Sequence, residues 1–330
     1  MPDMGTSRVV IADSGELLKP GIDLLVGRGV AVDVMPAGTS AADVAAAADA
    51  AVIIIGVLPF RGEAIERLRS TGLLIRAGIG YDIIDVEAAT ARGIWVANVP
   101  DYCVDEVADH ATLLLVAAAR RLIEMEAVWH SGKWINSALV PPVHRLRGSR
   151  LGIVGFGRIG RAVADRARGF GWEIVAHDPV MTDDAIRAAG AAPLGLDELF
   201  ATSEAVTLHC PLTPETQHLV NAARLATVKP GFVLVNTSRG GLVDLDALDA
   251  AIEAGQVASV ALDVIEGEPT PDLEQPVLHR RNVLVTPHLA WWSLEARRDL
   301  ALYAAEEAWR YVSGQRPKNL VNPAARPAPG

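Results

Sequence analysis

Leu151-Gly152-Ile153-Val154-Gly155-Phe156-Gly157-Arg158-Ile159-Gly160-Arg161 is the stretch whose reading decides the fold. Its apolar start reads as a buried strand. It ends in G-x-G-x-x-G, and a helical pattern follows with Ala162, Val163, Ala167 and Phe170 on one side. This is the setting a dinucleotide fingerprint requires: Gly155 for the tight turn, Gly157 for close approach of a pyrophosphate, Gly160 for packing of helix on strand. The first turn of the helix, with Arg158 and Ile159, offers N–H groups and a positive dipole end to phosphates. A second apolar run at 172–177 ends in Asp178, about 20 residues on, where an acid that binds the ribose 2′-hydroxyl is expected. Its carboxylate would repel a 2′-phosphate, which favours NAD over NADP. A Gly-rich turn without a ligand is the competing reading of the glycines alone.

The rest of the chain sets the frame. Its 330 residues suggest two domains. Half are apolar, and the formal net charge is −10, which argues against nonspecific nucleic-acid binding and against an anionic membrane surface. No apolar run reaches the length of a membrane span. Met1-Pro2-Asp3-Met4 lacks the apolar core of a signal peptide. Cys103 and Cys210 make neither a disulfide framework nor a metal-ligand spacing. The expectation is a cytoplasmic protein with reduced thiols and no metal.

Before the fingerprint, short apolar runs at 8–12, 30–34, 51–55, 73–77 and 94–97 alternate with helical patterns, among them 41–48 and 63–69. Such alternation implies a parallel sheet covered on both faces. Residues 104–123 read as one long helix, apolar around most of its surface and therefore buried, between domains or subunits. Residues 133–147 read as a loop. Beyond Asp178, strands are expected at 205–209, 233–236, 259–264 and 283–286, with a helix at 246–254 stopped by Gly255. An amphipathic helix at 293–312 is expected to return to the first domain, and the tail 322–330 to be disordered.

Open parallel sheets bind ligands outside the carboxyl ends of their strands. Three polar residues follow predicted strands: Arg239, Glu268 and His288. An Arg fork can grip a carboxylate, a His can exchange a proton near neutral pH, and a Glu bonded to that His would orient it and raise its pKa. Taken singly, each also reads as a surface Arg, a capping Glu before Pro269 and a satisfied loop His.

The chain resembles the D-isomer-specific 2-hydroxyacid dehydrogenases over nearly its whole length. The motifs are Ala77-Gly78-Ile79-Gly80-Tyr81-Asp82, the glycine loop, His209-Cys210-Pro211-Leu212-Thr213, Asn236-Thr237-Ser238-Arg239-Gly240-Gly241, Ala261-Leu262-Asp263-Val264 with Glu268-Pro269, and Thr286-Pro287-His288. The resemblance implies two doubly wound parallel-sheet domains: a flavodoxin-like substrate domain, 1–99 completed by 290–330, and a Rossmann NAD-binding domain, 100–289. It implies Arg239 as carboxylate anchor, His288 as acid/base, Glu268 as its partner, and Asp263 on the nicotinamide carboxamide. His209, Cys210, Pro211, Thr216, Thr237 and Ser238 would line the cofactor. Gly78, Ile79 and Gly80 would help hold the substrate carboxylate, with Leu58 and Trp291 against its side chain. It also implies a homodimer through the NAD-binding domains.

The activity implied is reduction of a 2-oxo acid, or oxidation of its D-2-hydroxy acid. Neither Val57-Leu58-Pro59-Phe60 nor the segment at Trp291 brings a Lys or Arg for a second anionic group, so an apolar side chain of medium size is expected over glyoxylate or a phosphorylated acid. Ala290-Trp291 after the His resembles the C-terminal-binding-protein branch, so a corepressor-like, NAD(H)-responsive interaction protein is the rival reading. A relative oxidising another small anion is a third, although Glu268 in place of a Gln speaks against formate. Glu106, Asp109 and His110 could be imagined around a metal, but read more simply as a polar patch on the first turns of a helix.

Overall fold

A computed structural model describes residues 8–47, 49–134 and 137–325. The chain forms two compact units, Met1–Cys103 with Ser293–Gly330, and Val104–Trp292.

In the first unit, strands β1 (Arg8–Ile11), β2 (Ala31–Val34), β3 (Val52–Ile55), β4 (Leu73–Arg76) and β5 (Trp95–Asn98) alternate with helices α1 (Lys19–Gly27), α2 (Ala41–Ala47), α3 (Gly62–Arg67) and α4 (Val86–Ala91). All strands are parallel, in the order β2-β1-β3-β4-β5. This is the flavodoxin-like order, with its reversal between β1 and β3. The central β3, Val-Ile-Ile-Ile, is buried along its whole length. A strand covered on both faces carries such a continuous β-branched run rather than an alternating one.

The second unit opens with α5 (Val104–Ala119) and α6 (Leu122–His130). It continues through β6 (Arg150–Val154), α7 (Arg158–Gly169), β7 (Glu173–His177), α8 (Asp183–Ala188), β8 (Ala192–Pro193), α9 (Leu196–Thr202) and β9 (Ala205–Leu208). Then come α10 (Ala222–Leu225), β10 (Phe232–Asn236), α11 (Leu245–Glu253), β11 (Val257–Leu262) and β12 (Val283–Val285). The seven strands are parallel, in the order β12-β11-β10-β9-β6-β7-β8. The order reverses between β6 and β9, which opens the ligand crevice of a Rossmann sheet at their carboxyl ends. A final helix, α12 (Leu294–Val312), returns to the first unit and packs on α1. Ser293 caps it by accepting the Ala296 N–H at 2.8 Å. Gly21 permits the approach, since a Cβ there would lie 2.2 Å from the Ala301 carbonyl oxygen.

Three expectations are corrected. The helix over 104–123 is two helices, because Arg121 is left-handed at φ 58°. Arg121 is buried, donates to the Ala258 carbonyl and pairs with Glu124 at 3.1 Å, so long-range bonds hold the break. The first of these helices, α5, lies on α7 and on strands β10 and β11 of its own unit. The two-residue strand β8 was not foreseen. The tail is ordered through Ala325: the buried Asn322 accepts the Val96 N–H at 2.7 Å and donates to the Ile94 carbonyl at 3.0 Å. The rest of the tail, 326–330, and Ala48 of the expected second helix lie outside the described residues. Among the described residues, no helix is long and apolar enough to cross a membrane.

Candidate active site

The three glycines of the fingerprint do different jobs. Gly155 has φ +87°, and a Cβ there would stand 2.5 Å from the Cys210 nitrogen, where the loops after β6 and β9 meet. A Cβ on Gly160 would lie 2.2 Å from the Gly155 carbonyl oxygen, so this residue sets how closely α7 approaches β6. A Cβ on Gly157 would meet nothing within 4 Å. Gly157 is also the N-cap of α7 and makes no side-chain capping bond. Open space before an uncapped helix start fits a pyrophosphate. Ile159 packs its side chain on Ala108, Ala111 and Val163, which leaves its backbone to serve the loop. Arg158 is exposed.

Asp178 follows β7 beside this loop. It accepts the Phe156 N–H at 2.8 Å and, through its other oxygen, the N–H groups of Val180 and Met181 at 2.9 and 3.2 Å. It is therefore fixed next to the glycine turn.

After β9, burial pushes the His209 imidazole down to about 3. Its Nε2 lies 2.9 Å from Thr207 Oγ1. Burial pushes the Cys210 thiol up to about 11, which removes it as a nucleophile. Pro211 is exposed and its carbonyl accepts from Thr216 Oγ1 at 2.8 Å. Thr216 also accepts the Thr213 N–H at 2.7 Å, so its hydroxyl braces the loop from within. After β10, Ser238 Oγ donates to the Cys210 carbonyl at 2.6 Å, and Thr237 Oγ1 is buried without a hydrogen-bond partner. An orphaned hydroxyl beside this crevice fits a polar cofactor group as its partner.

Arg239, Glu268 and His288 come together at the carboxyl ends of β10, β11 and β12. His288 Nδ1 and Glu268 Oε2 share a hydrogen bond. Glu268 Oε1 accepts the Ile265 N–H at 2.9 Å. Burial alone would raise Glu268, but the bond to His288, the Ile265 N–H and the charge of Arg239 hold it below the usual carboxylate range. Arg239 is positioned by Asn236, whose amide donates to the Arg239 carbonyl at 2.8 Å, and its Nη1 donates to the Ser238 carbonyl at 2.7 Å. Gly240 allows the 265–266 backbone to come alongside: a Cβ there would lie 2.0 Å from the Ile265 carbonyl carbon.

His288 is left-handed at φ 55°, a conformation uncommon outside glycine. One residue, Asp263, holds the turn there. The Asp263 carbonyl accepts the His288 N–H at 2.8 Å. The Asp263 side chain accepts Thr286 Oγ1 at 2.5 Å, the Leu289 N–H at 3.1 Å and the Ala290 N–H at 2.9 Å. The side chain is 0 % exposed. Asp263, implied by resemblance on the nicotinamide carboxamide, thus also ties down the turn that carries His288. His110, on α5, completes the arrangement with Nε2 3.1 Å from Thr286 Oγ1 and 3.7 Å from Asp263 Oδ1. Neighbouring Asp109 instead pairs with Arg166. Trp291 folds back so that its indole N–H donates to the His288 carbonyl at 3.1 Å, and its ring meets Trp292 edge-on at 5.3 Å. That is a bracing role in addition to the side-chain contact expected of it.

In the first unit, Gly78 has φ +150°, and a Cβ there would run into the Arg76 guanidinium at 2.3 Å. The Gly78 carbonyl accepts the Val99 N–H at 3.0 Å, and the Ile79 carbonyl accepts Asn98 Nδ2 at 2.7 Å. Gly80 follows at the end of this loop. The adjacent loop after β3 is tied down by Asp13. Its carboxylate accepts the N–H groups of Gly56, Val57 and Leu58 at 2.6, 2.6 and 3.2 Å.

Sequence reasoning missed Asp13, left His110 as part of a polar helix patch, and did not foresee that Asp263 clamps the turn that carries His288. Asp13 follows a predicted strand, the same signal that selected Arg239 and His288, so the rule could have found it. The clamping role of Asp263 depends on the loop after the neighbouring strand, and no local pattern announces it.

The sequence and fold match known proteins. The family model described as D-isomer specific 2-hydroxyacid dehydrogenase, NAD binding domain, matches residues 112–290. A glyoxylate reductase of Thermococcus litoralis is 39% identical over 265 residues, 79% of this chain and 80% of that one. A crystal structure of a glyoxylate reductase from Paecilomyes thermophila superposes with TM-score 0.87 at 30% identity, covering 97% of this chain and 99% of the other. An NADPH-dependent glyoxylate/hydroxypyruvate reductase from Sinorhizobium meliloti, solved with NADP and malonate, gives TM-score 0.83 at 27% identity, with 99% and 100% covered. The chain belongs to the D-isomer-specific 2-hydroxyacid dehydrogenase family. It is an oxidoreductase acting on the CH–OH group of its donor, with an NAD-binding Rossmann domain.

Proposed function

We propose that the protein interconverts a small 2-oxo acid and its D-2-hydroxy acid, with NAD(H) as its nicotinamide cofactor. The observation that carries this reading is the His288–Glu268 pair beside Arg239, at the carboxyl edge of the sheet that bears the glycine loop. A bound nicotinamide supplies or accepts the hydride. The remaining work belongs to the chain. Arg239 grips the substrate carboxylate with its planar fork. Glu268 holds His288 Nδ1, which leaves Nε2 to give a proton to the carbonyl oxygen as it becomes an alkoxide, or to take it back in the reverse direction. Because Glu268 is held as a carboxylate, it stabilises the imidazolium that donates. Gly78, Ile79 and Gly80 are assigned to the carboxylate as well, and Leu58 to the side chain.

Asp178 supports NAD over NADP, since a 2′-phosphate would meet a carboxylate fixed in place by three backbone N–H groups. We expect kcat/KM for NADH to exceed that for NADPH by at least about tenfold, one such step being roughly 1.4 kcal/mol. A homodimer is supported by the apolar surface of α6 and the segment after it, where Leu122, Trp129 and Trp134 are 55, 59 and 74% exposed. Apolar exposure on this scale marks an association surface. Light scattering on wild type and Trp129→Glu tests it.

The activity is tested by NADH oxidation over a panel of 2-oxo acids: glyoxylate, pyruvate, 2-oxobutyrate and hydroxypyruvate. Turnover of one or more, with the D-hydroxy acid as product, supports the reading. No turnover with any of them, under conditions where NADH binds, overturns it. The ranking of 2-oxobutyrate against glyoxylate reads the size of the side-chain pocket, for which the apolar acid of medium size is expected to lead.

A further inference from the structure

The first unit reverses strand order between β1 and β3, and in a parallel sheet this is where a ligand is received. Here the place is held by a side chain of the chain itself. Three successive N–H groups, of Gly56, Val57 and Leu58, converge on the Asp13 carboxylate at 2.6, 2.6 and 3.2 Å. Successive N–H groups that point inward make an anion nest. Ser14 adds its hydroxyl to Asp13 Oδ2 at 3.3 Å, and its own backbone is left-handed at φ 61°. Gly56 is required by this closeness, since a Cβ there would lie 2.3 Å from Ser14 Oγ and 2.8 Å from Asp13 Oδ2. The nest is therefore built around the carboxylate.

The neighbouring loop is the one assigned to the substrate carboxylate. The Ala77 N–H donates to the Ile55 carbonyl at 2.8 Å, so the loops after β3 and β4 leave the sheet side by side. The proposed function places the substrate carboxylate at Gly78, Ile79 and Gly80 and its side chain at Leu58, in the loop that Asp13 holds. Val57 is 59% exposed.

We propose that Asp13 is a specificity-determining residue: an internal anion that fills the nest after β3 and excludes 2-oxo acids whose side chain ends in a carboxylate or phosphate. It acts twice. It uses the backbone donors that would otherwise receive such a group, and it places a negative charge where that group would have to sit. Substrates with short uncharged side chains are left unaffected. This inference deepens the proposed function and rests on it.

The test compares wild type with Asp13→Asn and Asp13→Ser, using NADH-dependent reduction of 2-oxobutyrate, oxaloacetate and 3-phosphohydroxypyruvate. Wild type should favour 2-oxobutyrate by tenfold or more in kcat/KM. In the variants the ratio of each anionic acid to 2-oxobutyrate should rise about tenfold, mainly through KM, while kcat for 2-oxobutyrate stays within about threefold. Inorganic sulfate should also become a better competitor against 2-oxobutyrate. A residue that merely holds the loop would lower all substrates together and leave the ratio unchanged, and that result overturns the proposal. So does a wild type that prefers an anionic acid. Asp13→Ser keeps one acceptor oxygen for the nest; loss of the melting transition in both variants would make Asp13 a folding residue and likewise overturn the proposal. If wild type reduces none of the acids, it is the proposed function that fails first, and the two failures are told apart by this one control.

Discussion

Asp13 and Asp263 solve the same geometric problem in two different sheets. Each follows a parallel strand, β1 or β11, and accepts backbone N–H groups from the loop after the neighbouring strand, β3 or β12. Asp178 repeats the device between β7 and β6. The difference lies in enclosure. Asp263 has no exposed side-chain surface and adds a hydroxyl and a histidine to its partners, whereas Asp13 is only partly covered. An enclosed carboxylate acts through the backbone it holds. One that is partly open also acts through its charge. In this protein the enclosed one fixes the turn of His288, the residue proposed to move a proton, and the open one borders the loop assigned to the substrate side chain.

The comparison is bounded above by His288 itself. His288→Ala should lower kcat by about a hundredfold to ten-thousandfold, the usual worth of a general acid, while the Kd for NADH stays within a few-fold. Stopped-flow turnover and fluorescence titration of NADH read the two quantities.

Asp263→Asn is next. The amide presents an N–H₂ group where an N–H donor now points, and leaving a buried donor unsatisfied costs about 1–3 kcal/mol. We expect kcat to fall on every substrate alike by roughly ten- to a hundredfold, since each 1.4 kcal/mol is about a factor of ten. NADH affinity should be preserved. A large rise in the Kd for NADH at unchanged kcat would show instead that Asp263 serves the nicotinamide directly. The contrast sharpens against Asp13→Asn, for which the ratio among substrates moves and the common rate does not.

Glu268→Gln tests the charge behind the dyad. Glu268 is already held below the ordinary carboxylate range, so its ionised form is present throughout the neutral region and persists as pH falls. Removing that charge destabilises imidazolium. The pKa that governs reduction should therefore move down, by about one unit, because one unit corresponds to 1.36 kcal/mol between protonation states. A pH–rate profile identical to wild type would sink the pairing.

The last effect concerns stability, not rate. His209 is lowered to about 3 by burial. Between that value and its unfolded pKa of about 6.5, the unfolded chain binds a proton that the folded one does not. Stability is thus complete above about pH 6.5 and declines as pH falls, by at most about 1.4 kcal/mol per unit from this group. His209→Asn should flatten the dependence of Tm on pH between 6.5 and 4, seen by calorimetry. A slope unchanged from wild type would assign it to other groups.

Much of this was legible in the sequence because parallel strands are apolar runs that end abruptly at a functional edge. Gly155, Asp178, Arg239 and His288 all announce themselves in that way. What stayed hidden depends on contacts distant in the chain. Arg121 breaks a helix without glycine or proline, because the carbonyl it reaches belongs to Ala258. Asn322 looks like the start of a Pro/Ala tail, yet its amide is paired with Val96 and Ile94. Thr216 sits in a cofactor motif but turns its hydroxyl into its own loop. Local pattern locates an edge; it does not say which atoms there are already taken.

The return of α12 has a consequence for how the protein is made. The second unit is one continuous segment, Val104–Trp292, and its sheet can close as soon as that segment is available. The first unit begins the chain but lacks α12 and Asn322 until almost everything else has been synthesised. At roughly 5–20 residues per second, β1 to β5 wait on the order of ten seconds or more on the ribosome without the helix that packs on β3 and β4. The later-encoded unit is thus the first able to mature, and the nascent N-terminal strands are the segment for which a chaperone has the longest opportunity.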